Sequence, residues 1–254
     1  MGPSSNTGKT IRAMALRGMD VARLNFSWGT YDGHAALIFA VRDVSKRIGK
    51  KILIVQDLSG PRLQKKIGHH FDANVKAEIT KKDLRDLEFG LAHSVDYVAM
   101  SYVGDAREIT QLRNIIKKSG KRTRIIAKIE RKKGLKNLGA IIKAADAIMI
   151  ARGDLGNEVP LEQIPRIEKE IIAKCKSAKM PVITATQMLL SMTAKPEPTR
   201  AEVTDVYFAI ANGSDAVMLS EETANGKYPV EAVSMMRNII READKHINTR
   251  VYRL

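Results

Sequence analysis

The chain has 254 residues, with 43 Lys plus Arg against 28 Asp plus Glu for a formal charge of +15, and 44% of its residues are hydrophobic. This is a globular composition: no apolar run approaches the ~20 residues that cross a bilayer, and Met1-Gly2-Pro3-Ser4-Ser5-Asn6 lacks the features of a secretory signal, so the cytoplasm is expected and a membrane partner is not. Cys175 is the single cysteine, which excludes an intrachain disulfide or a cysteine-based zinc site, and His34, His69, His70, His93 and His246 show no ligand spacing, so a metal here is expected on oxygen.

In chain order, short apolar runs rich in β-formers fall at residues 21–26, 51–58, 97–102, 124–130, 147–151, 181–187 and 216–220, which are seven predicted strands. Helical faces of period 3.6 lie between them. Examples are Ile109, Leu112, Ile115 and Ile116; Leu135, Leu138, Ile141 and Ile142; and Ile164, Ile167, Ile171 and Ile172. Helix starts are marked by Thr80-Lys81-Lys82-Asp83, with an acid in the first turn, and by the capping-box form Thr199-Arg200-Ala201-Glu202. Strands apolar throughout and alternating with amphipathic helices imply a parallel sheet covered by helices. Seven such units in this length predict an α/β fold of the TIM type, a (β/α)8 barrel with seven of its eight strands visible, read as a single domain over residues 1–254. The starts at Lys51 and Tyr97 are 46 residues apart, wider than the other spacings. The surplus, residues 63–79 with Gly68-His69-His70, reads as a long connection rather than a domain.

A β/α barrel builds its active site at the C-terminal strand ends, and polar residues collect there. Arg23 and Asn25 lead to Ser27; Asp57 ends the second strand; Lys128 and Glu130 end the fourth; Asp154 follows the fifth; Thr186 and Gln187 close the sixth. Lys128 and Glu130 are two apart, so on a strand they point the same way, and burying both is costly without a compensating ion or ligand. Glu130 and Asp154 could offer two carboxylates to Mg²⁺, which takes a few hard oxygens together with substrate and water. The plainer reading is a structural Lys–Glu ion pair. In Arg152-Gly153-Asp154-Leu155-Gly156, two glycines around an acid permit close backbone approach and present the Gly153 and Asp154 amides to an anion, although an ordinary βα turn has the same look.

Five strings are distinctive: Val21-Ala22-Arg23-Leu24-Asn25-Phe26-Ser27, Ile126-Ala127-Lys128-Ile129-Glu130, Ile148-Met149-Ile150-Ala151-Arg152-Gly153-Asp154-Leu155-Gly156, Ala185-Thr186-Gln187-Met188-Leu189 and Pro198-Thr199-Arg200-Ala201-Glu202. Together, over residues 2–233, they resemble the catalytic barrel of the pyruvate kinase family. The resemblance implies transfer of a phosphoryl group from phosphoenolpyruvate to ADP, giving pyruvate and ATP. It implies that Lys128 stabilises the phosphoryl group in transfer and that Arg23 holds it. Glu130 and Asp154 would hold Mg²⁺ or Mn²⁺, while the Gly153 and Asp154 amides with Thr186 position the substrate carboxylate. Asn25, Ser27 and Asp57 match the family's K⁺ site, and the resemblance implies that Thr186, with a water, would lie near the methylene carbon that is protonated after transfer.

The chain also departs from that pattern. The family inserts a β-barrel lid where residues 63–79 stand here, and no counterpart of its C-terminal regulatory domain is expected after the predicted helix at 230–247. On the nucleotide side Trp28 replaces a usual His, Gly33 a Tyr and Gln64 an Arg; Leu58-Ser59 replaces Thr-Lys, and Glu221 takes a glycine's place. The expected enzyme is therefore minimal or weakened toward ADP. One alternative is a metal-dependent pyruvate or oxaloacetate lyase or decarboxylase without nucleotide. Another is a non-catalytic barrel binding RNA or another polyanion through Arg122, Arg124, Lys128, Arg131, Lys132, Lys133 and Lys136, against which stands an aromatic content of only 5%. The family's first strand precedes the motif that begins at Met1-Gly2-Pro3. The expectation is that Met1 is internal to a longer product, or that a distorted seam, a second copy or another partner completes the barrel or lid.

Overall fold

The computed structural model describes residues 1–64, 69–72 and 79–246. In chain order the elements are α1 (Gly8–Arg17), β1 (Val21–Asn25), α2 (Tyr31–Ile48), β2 (Leu53–Asp57), a short pair β3 (Arg62–Gln64) and β4 (His69–Phe71), α3 (Lys81–Ala92), β5 (Tyr97–Met100) and α4 (Ala106–Lys118). There follow β6 (Arg124–Ile129), α5 (Lys132–Lys136), α6 (Leu138–Ala144), β7 (Ala147–Ala151), α7 (Arg152–Leu155), α8 (Ile164–Ser177), β8 (Val182–Ala185), α9 (Arg200–Ala211), β9 (Ala216–Met218), α10 (Glu221–Ala224) and α11 (Pro229–His246). Apart from β3 and β4, the strands pair in the order β1-β2-β5-β6-β7-β8-β9. The pairs β2–β5, β5–β6, β6–β7 and β8–β9 run parallel. Strands that pair in chain order through helical crossovers have (β/α)8-barrel topology, here with seven strands among the described residues. All seven are the strands expected from the apolar runs. No described helix is long and apolar enough to cross a membrane.

The chain divides into two compact units, the first comprising Met1–Leu24, Thr30–Ile54 and Ile183–Leu254, the second Asn25–Gly29 and Val55–Val182. In the second unit β5 and β7 are buried at every residue, and β6 at all but Arg124. Burial on both faces is why these strands read as unbroken apolar runs rather than alternating ones. The helices alongside bury the expected stripes, with Ile109, Leu112 and Ile116 buried and Ile115 half-buried on α4, and Ile164, Ile167, Ile171 and Ile172 buried on α8. The stripe from Leu135 to Ile142 is one face in sequence but two helices in space, because Asn137, at φ −99° and ψ 10°, ends α5 and starts α6. Its side-chain amide donates to the Gly104 carbonyl at 2.7 Å, a tertiary bond that anchors the residue at this break.

The stretch expected to be a plain connection carries the antiparallel pair β3–β4, with Arg62 opposite Phe71. Strands of three residues carrying Arg, Gln and two His have no apolar alternation by which to announce themselves. Gly60 turns the chain into this pair at φ +65°, and its amide donates to Asp83 Oδ1 at 3.0 Å. Residues 65–68 and 73–78 of the expected connection, Gly68 among them, lie outside the described residues, as does Ile247 at the end of the last expected helix.

In the first unit Met188, Leu189, Met192, Val206, Ala209, Ala232, Met236 and Ile239 form an apolar core around α9 and α11. Both expected helix starts hold as capping boxes: Thr199 with Glu202 on α9, and, in the second unit, Thr80 with Asp83 on α3. Glu202 also accepts from the Ser191 amide at 2.7 Å, tying the segment after β8 to the start of α9.

Candidate active site

The candidate site gathers at the C-terminal ends of β2, β5 and β6 and beyond β7, all within the second unit. Register explains the convergence. Asp57 pairs with Ala99, Met100 with Ala127 and Lys128 with Met149, so Asp57, Ser101 and Lys128 come to the same end of three adjacent strands. Lys128 Nζ lies 3.1 Å from Asp57 Oδ1, 3.0 Å from Glu130 Oε1 and 2.8 Å from Ser101 Oγ. The Ser101 hydroxyl itself donates to the Leu58 carbonyl at 2.7 Å. Asp57 and Glu130 are each 1% exposed and Lys128 8%, so three charges share a site with almost no solvent.

Glu130 is the least comfortable of them. Burial pushes its carboxyl up to about 7; Lys128 opposes the shift, the Asp154 charge adds to it, and the Tyr102 amide opposes it again. Its Oε2 accepts that amide at 2.5 Å, whereas buried Oε1 faces Lys128 as an ion pair and takes no hydrogen bond. Asp154 stands in α7, directly after β7, and its Oδ1 accepts the Tyr102 hydroxyl at 3.2 Å. The Gly153 and Asp154 amides fall in the first turn of α7, where a helix supplies no acceptor of its own. Arg152 anchors this turn to α8 through a buried ion pair with Glu168 at 3.2 Å.

These observations fit a divalent cation. Among the described residues no group of three or more His, Cys, Asp or Glu forms a ready cage. Mg²⁺ needs none, since it takes one or two carboxylates and completes its shell with water and substrate oxygens. Glu130 Oε1 is buried with no hydrogen bond and only the Lys128 ammonium as ion-pair partner, and the charge of Asp154 is close enough to raise its pKa; a cation relieves both. For a monovalent cation, Asn25, Ser27 and Asp57 offer oxygens, although Asn25 Oδ1 already accepts the Ser27 amide at 3.1 Å and Asp57 is the counter-ion of Lys128.

The other expected site residues belong to the first unit. Arg23 lies on β1, and Thr186 directly follows β8. Thr186 and Gln187 have φ of +79° and +54°, left-handed conformations that a β-branched threonine adopts only under constraint and that cluster at functional sites. The basic run is divided among several environments. Lys128 is buried in the site, Arg124 lies over the Tyr97 ring at 4.0 Å, and Arg131 lies over the Phe71 ring at 3.6 Å. Sequence reasoning missed Ser101 and Tyr102, although both stand at the end of an apolar run and the strand-end rule that picked out Asp57 and Lys128 applies equally to them.

The family model described as pyruvate kinase, barrel domain, matches residues 1–78 and 69–233. The chain belongs to the pyruvate kinase family. It is 36% identical to the pyruvate kinase of Thermococcus litoralis, over 97% of this chain and 69% of that protein, in an alignment of 326 residues. With a pyruvate kinase of Agrobacterium vitis the identity is 35%, covering 97% of this chain and 68% of the other. With that of Bacillus licheniformis it is 33%, covering 98% and 57%. These alignments are longer than the chain itself, so its pyruvate kinase relatives carry internal segments without counterpart here. Against the pyruvate kinase pattern, Trp28 is 58% exposed, and the Arg62 guanidinium lies 6.0 Å from its ring.

Proposed function

We propose that this pyruvate kinase family member acts on phosphoenolpyruvate, with Glu130 and Asp154 holding Mg²⁺ or Mn²⁺ beside Lys128. The observation that carries the reading is the buried Lys128–Glu130–Asp57 cluster, in which Glu130 keeps one oxygen without a hydrogen bond. In the proposed reaction the phosphoryl group leaves the enol oxygen for the terminal phosphate of ADP, and the enolate takes a proton at its methylene carbon to give pyruvate. Bound there, the metal supplies positive charge to the oxygens of the substrate. Lys128, fixed by three partners and shielded from water, holds its ammonium ready for charge on the transferred group, which is most of what phosphoryl transfer asks of a protein. The Gly153 and Asp154 amides orient the substrate carboxylate.

Arg23 on the phosphoryl group, Thr186 at the carboxylate, and K⁺ at Asn25, Ser27 and Asp57 complete the proposal. The left-handed backbone at Thr186 supports its part. Residues 1–254 are read as one catalytic barrel domain with a short connection at 63–79 in place of the lid, and the overlapping family matches near residues 69–78 support that reading. The cytoplasm is the proposed location.

The nucleotide half of the reaction is proposed to be weakened. Trp28, Gly33 and Gln64 stand where the family pattern has groups for the nucleotide, and the short pair β3–β4 offers little to close over ADP and exclude water. That same feature favours, as a second reading, enolate chemistry on pyruvate or oxaloacetate without nucleotide. A coupled assay for pyruvate with phosphoenolpyruvate, Mg²⁺ and K⁺, run with and without ADP, beside one with oxaloacetate and Mg²⁺ alone, separates the two. Pyruvate formed only with ADP supports the kinase. Pyruvate formed equally without it rejects the kinase.

A further inference from the structure

Tyr102 is a bulky residue in a conformation that bulky residues avoid. Its φ is +58°, and the residue is 4% exposed. Such a backbone persists only where the surroundings over-determine it, and here every part of the residue is engaged. The amide donates to Glu130 Oε2 at 2.5 Å, and the hydroxyl donates to Asp154 Oδ1 at 3.2 Å. The carbonyl accepts from Arg131 at 3.3 Å. The ring packs 5.5 Å from that of Phe71 on β4, itself covered by the Arg131 guanidinium.

One residue thus touches both carboxylates assigned to the cation, which come from the ends of two different strands. The extended backbone expected through residue 102 would carry the amide and side chain away along the strand. The left-handed turn lets amide and hydroxyl reach the two acids together. We propose that Tyr102 is a positioning residue for the divalent cation: its amide fixes Glu130, its hydroxyl fixes Asp154, and the short pair β3–β4 braces the ring through Phe71. The proposal rests on the reading that Glu130 and Asp154 hold the cation, and adds to it a residue that holds the ligands rather than the metal. Groups of this kind commonly set metal affinity by 10–100-fold, because they fix the ligand's orientation and charge distribution.

The test is Mn²⁺ binding, read from the paramagnetic resonance of free Mn²⁺ without substrate or nucleotide, for wild type, Tyr102→Phe and Asp154→Asn. Tyr102→Phe keeps the ring and the amide and removes only the hydroxyl. Its Mn²⁺ affinity is expected to fall about 10-fold or more with no change in melting temperature measured with chelator. Asp154→Asn is expected to lose binding. Unchanged affinity in Tyr102→Phe, with binding lost in Asp154→Asn, overturns the role of Tyr102 and leaves the cation site standing. Unchanged affinity in both, or no Mn²⁺ bound by wild type, overturns the site itself. A second readout needs no variant of uncertain fold: Mg²⁺ added to wild type should perturb its near-ultraviolet tyrosine absorption, and a wild type that binds Mn²⁺ with no such change contradicts the proposal.

Discussion

Replacing Lys128 with Met removes a charge but nearly preserves side-chain length, and so isolates what the ammonium does. It strips Asp57 and Glu130, each 1% exposed, of the cation that now lies 3.1 and 3.0 Å from them. Removing one partner of a buried ion pair costs about 3–5 kcal/mol, because the remaining charge is left uncompensated. At about 2–4 °C per kcal/mol for a chain of this size, the melting temperature should drop by roughly 10 °C. Glu130 titrates at about 7 in the folded chain against an ordinary 4.5. The folded state therefore binds this proton more tightly than the unfolded state, so the penalty is full above pH 7 and shrinks as pH falls toward 4.5. Lys128 pulls that value down, so its loss raises it further, and Lys128→Met should lose more stability at pH 8 than at pH 6. Saturating Mn²⁺, which binds only the folded site, should restore part of the loss. Thermal melts at the two pH values, with Mn²⁺ and with chelator, read all three effects. Coincident melts for variant and wild type at pH 8 with chelator would refute the claim that this cluster is buried and mutually dependent.

The same carboxyl predicts that Mn²⁺ binding expels a proton around neutrality, since Glu130 at about 7 must ionise to serve as a ligand. Calorimetry in buffers of different ionisation enthalpy should show proton release at pH 6.5 and little at pH 8.5. In the first unit, Thr199→Ala removes the acceptor of the Glu202 amide and should cost about 1 kcal/mol, seen in a denaturant titration. In steady-state kinetics, turnover with ADP should fall well below the ~10 per second typical of enzymes, and turnover at that level with sub-millimolar ADP would show that the barrel needs no lid.

What the sequence made legible followed one rule. Strands buried on both faces are written as apolar runs, so β5, β6 and β7 could be read directly, and so could the acids and lysine at their ends. Lys128 on β6 and Glu130 directly after it were expected to face the same way, and they form the ion pair. The resemblance adds roles that no spacing could give, such as those of Arg23 and Thr186. What stayed hidden depends on tertiary context. The pair β3–β4 is too short and polar to carry a period. The break at Asn137 follows from a bond to Gly104, distant in sequence. Tyr102 looked like the last residue of an apolar strand, because nothing in an amino-acid string announces a left-handed backbone at a tyrosine.

The most direct test of the central claim is the binding of oxalate, a planar dicarboxylate that stands in for the enolate of pyruvate, measured calorimetrically with Mn²⁺ and with chelator for wild type and Glu130→Gln. Loss of Glu130 leaves too few hard oxygens for the cation. Wild type should bind oxalate only with Mn²⁺, and Glu130→Gln should fail to bind it in either condition. Equal oxalate affinity with Mn²⁺ and with chelator, or undiminished Mn²⁺-dependent binding in Glu130→Gln, would contradict a metal-dependent enolate site at Glu130 and Asp154.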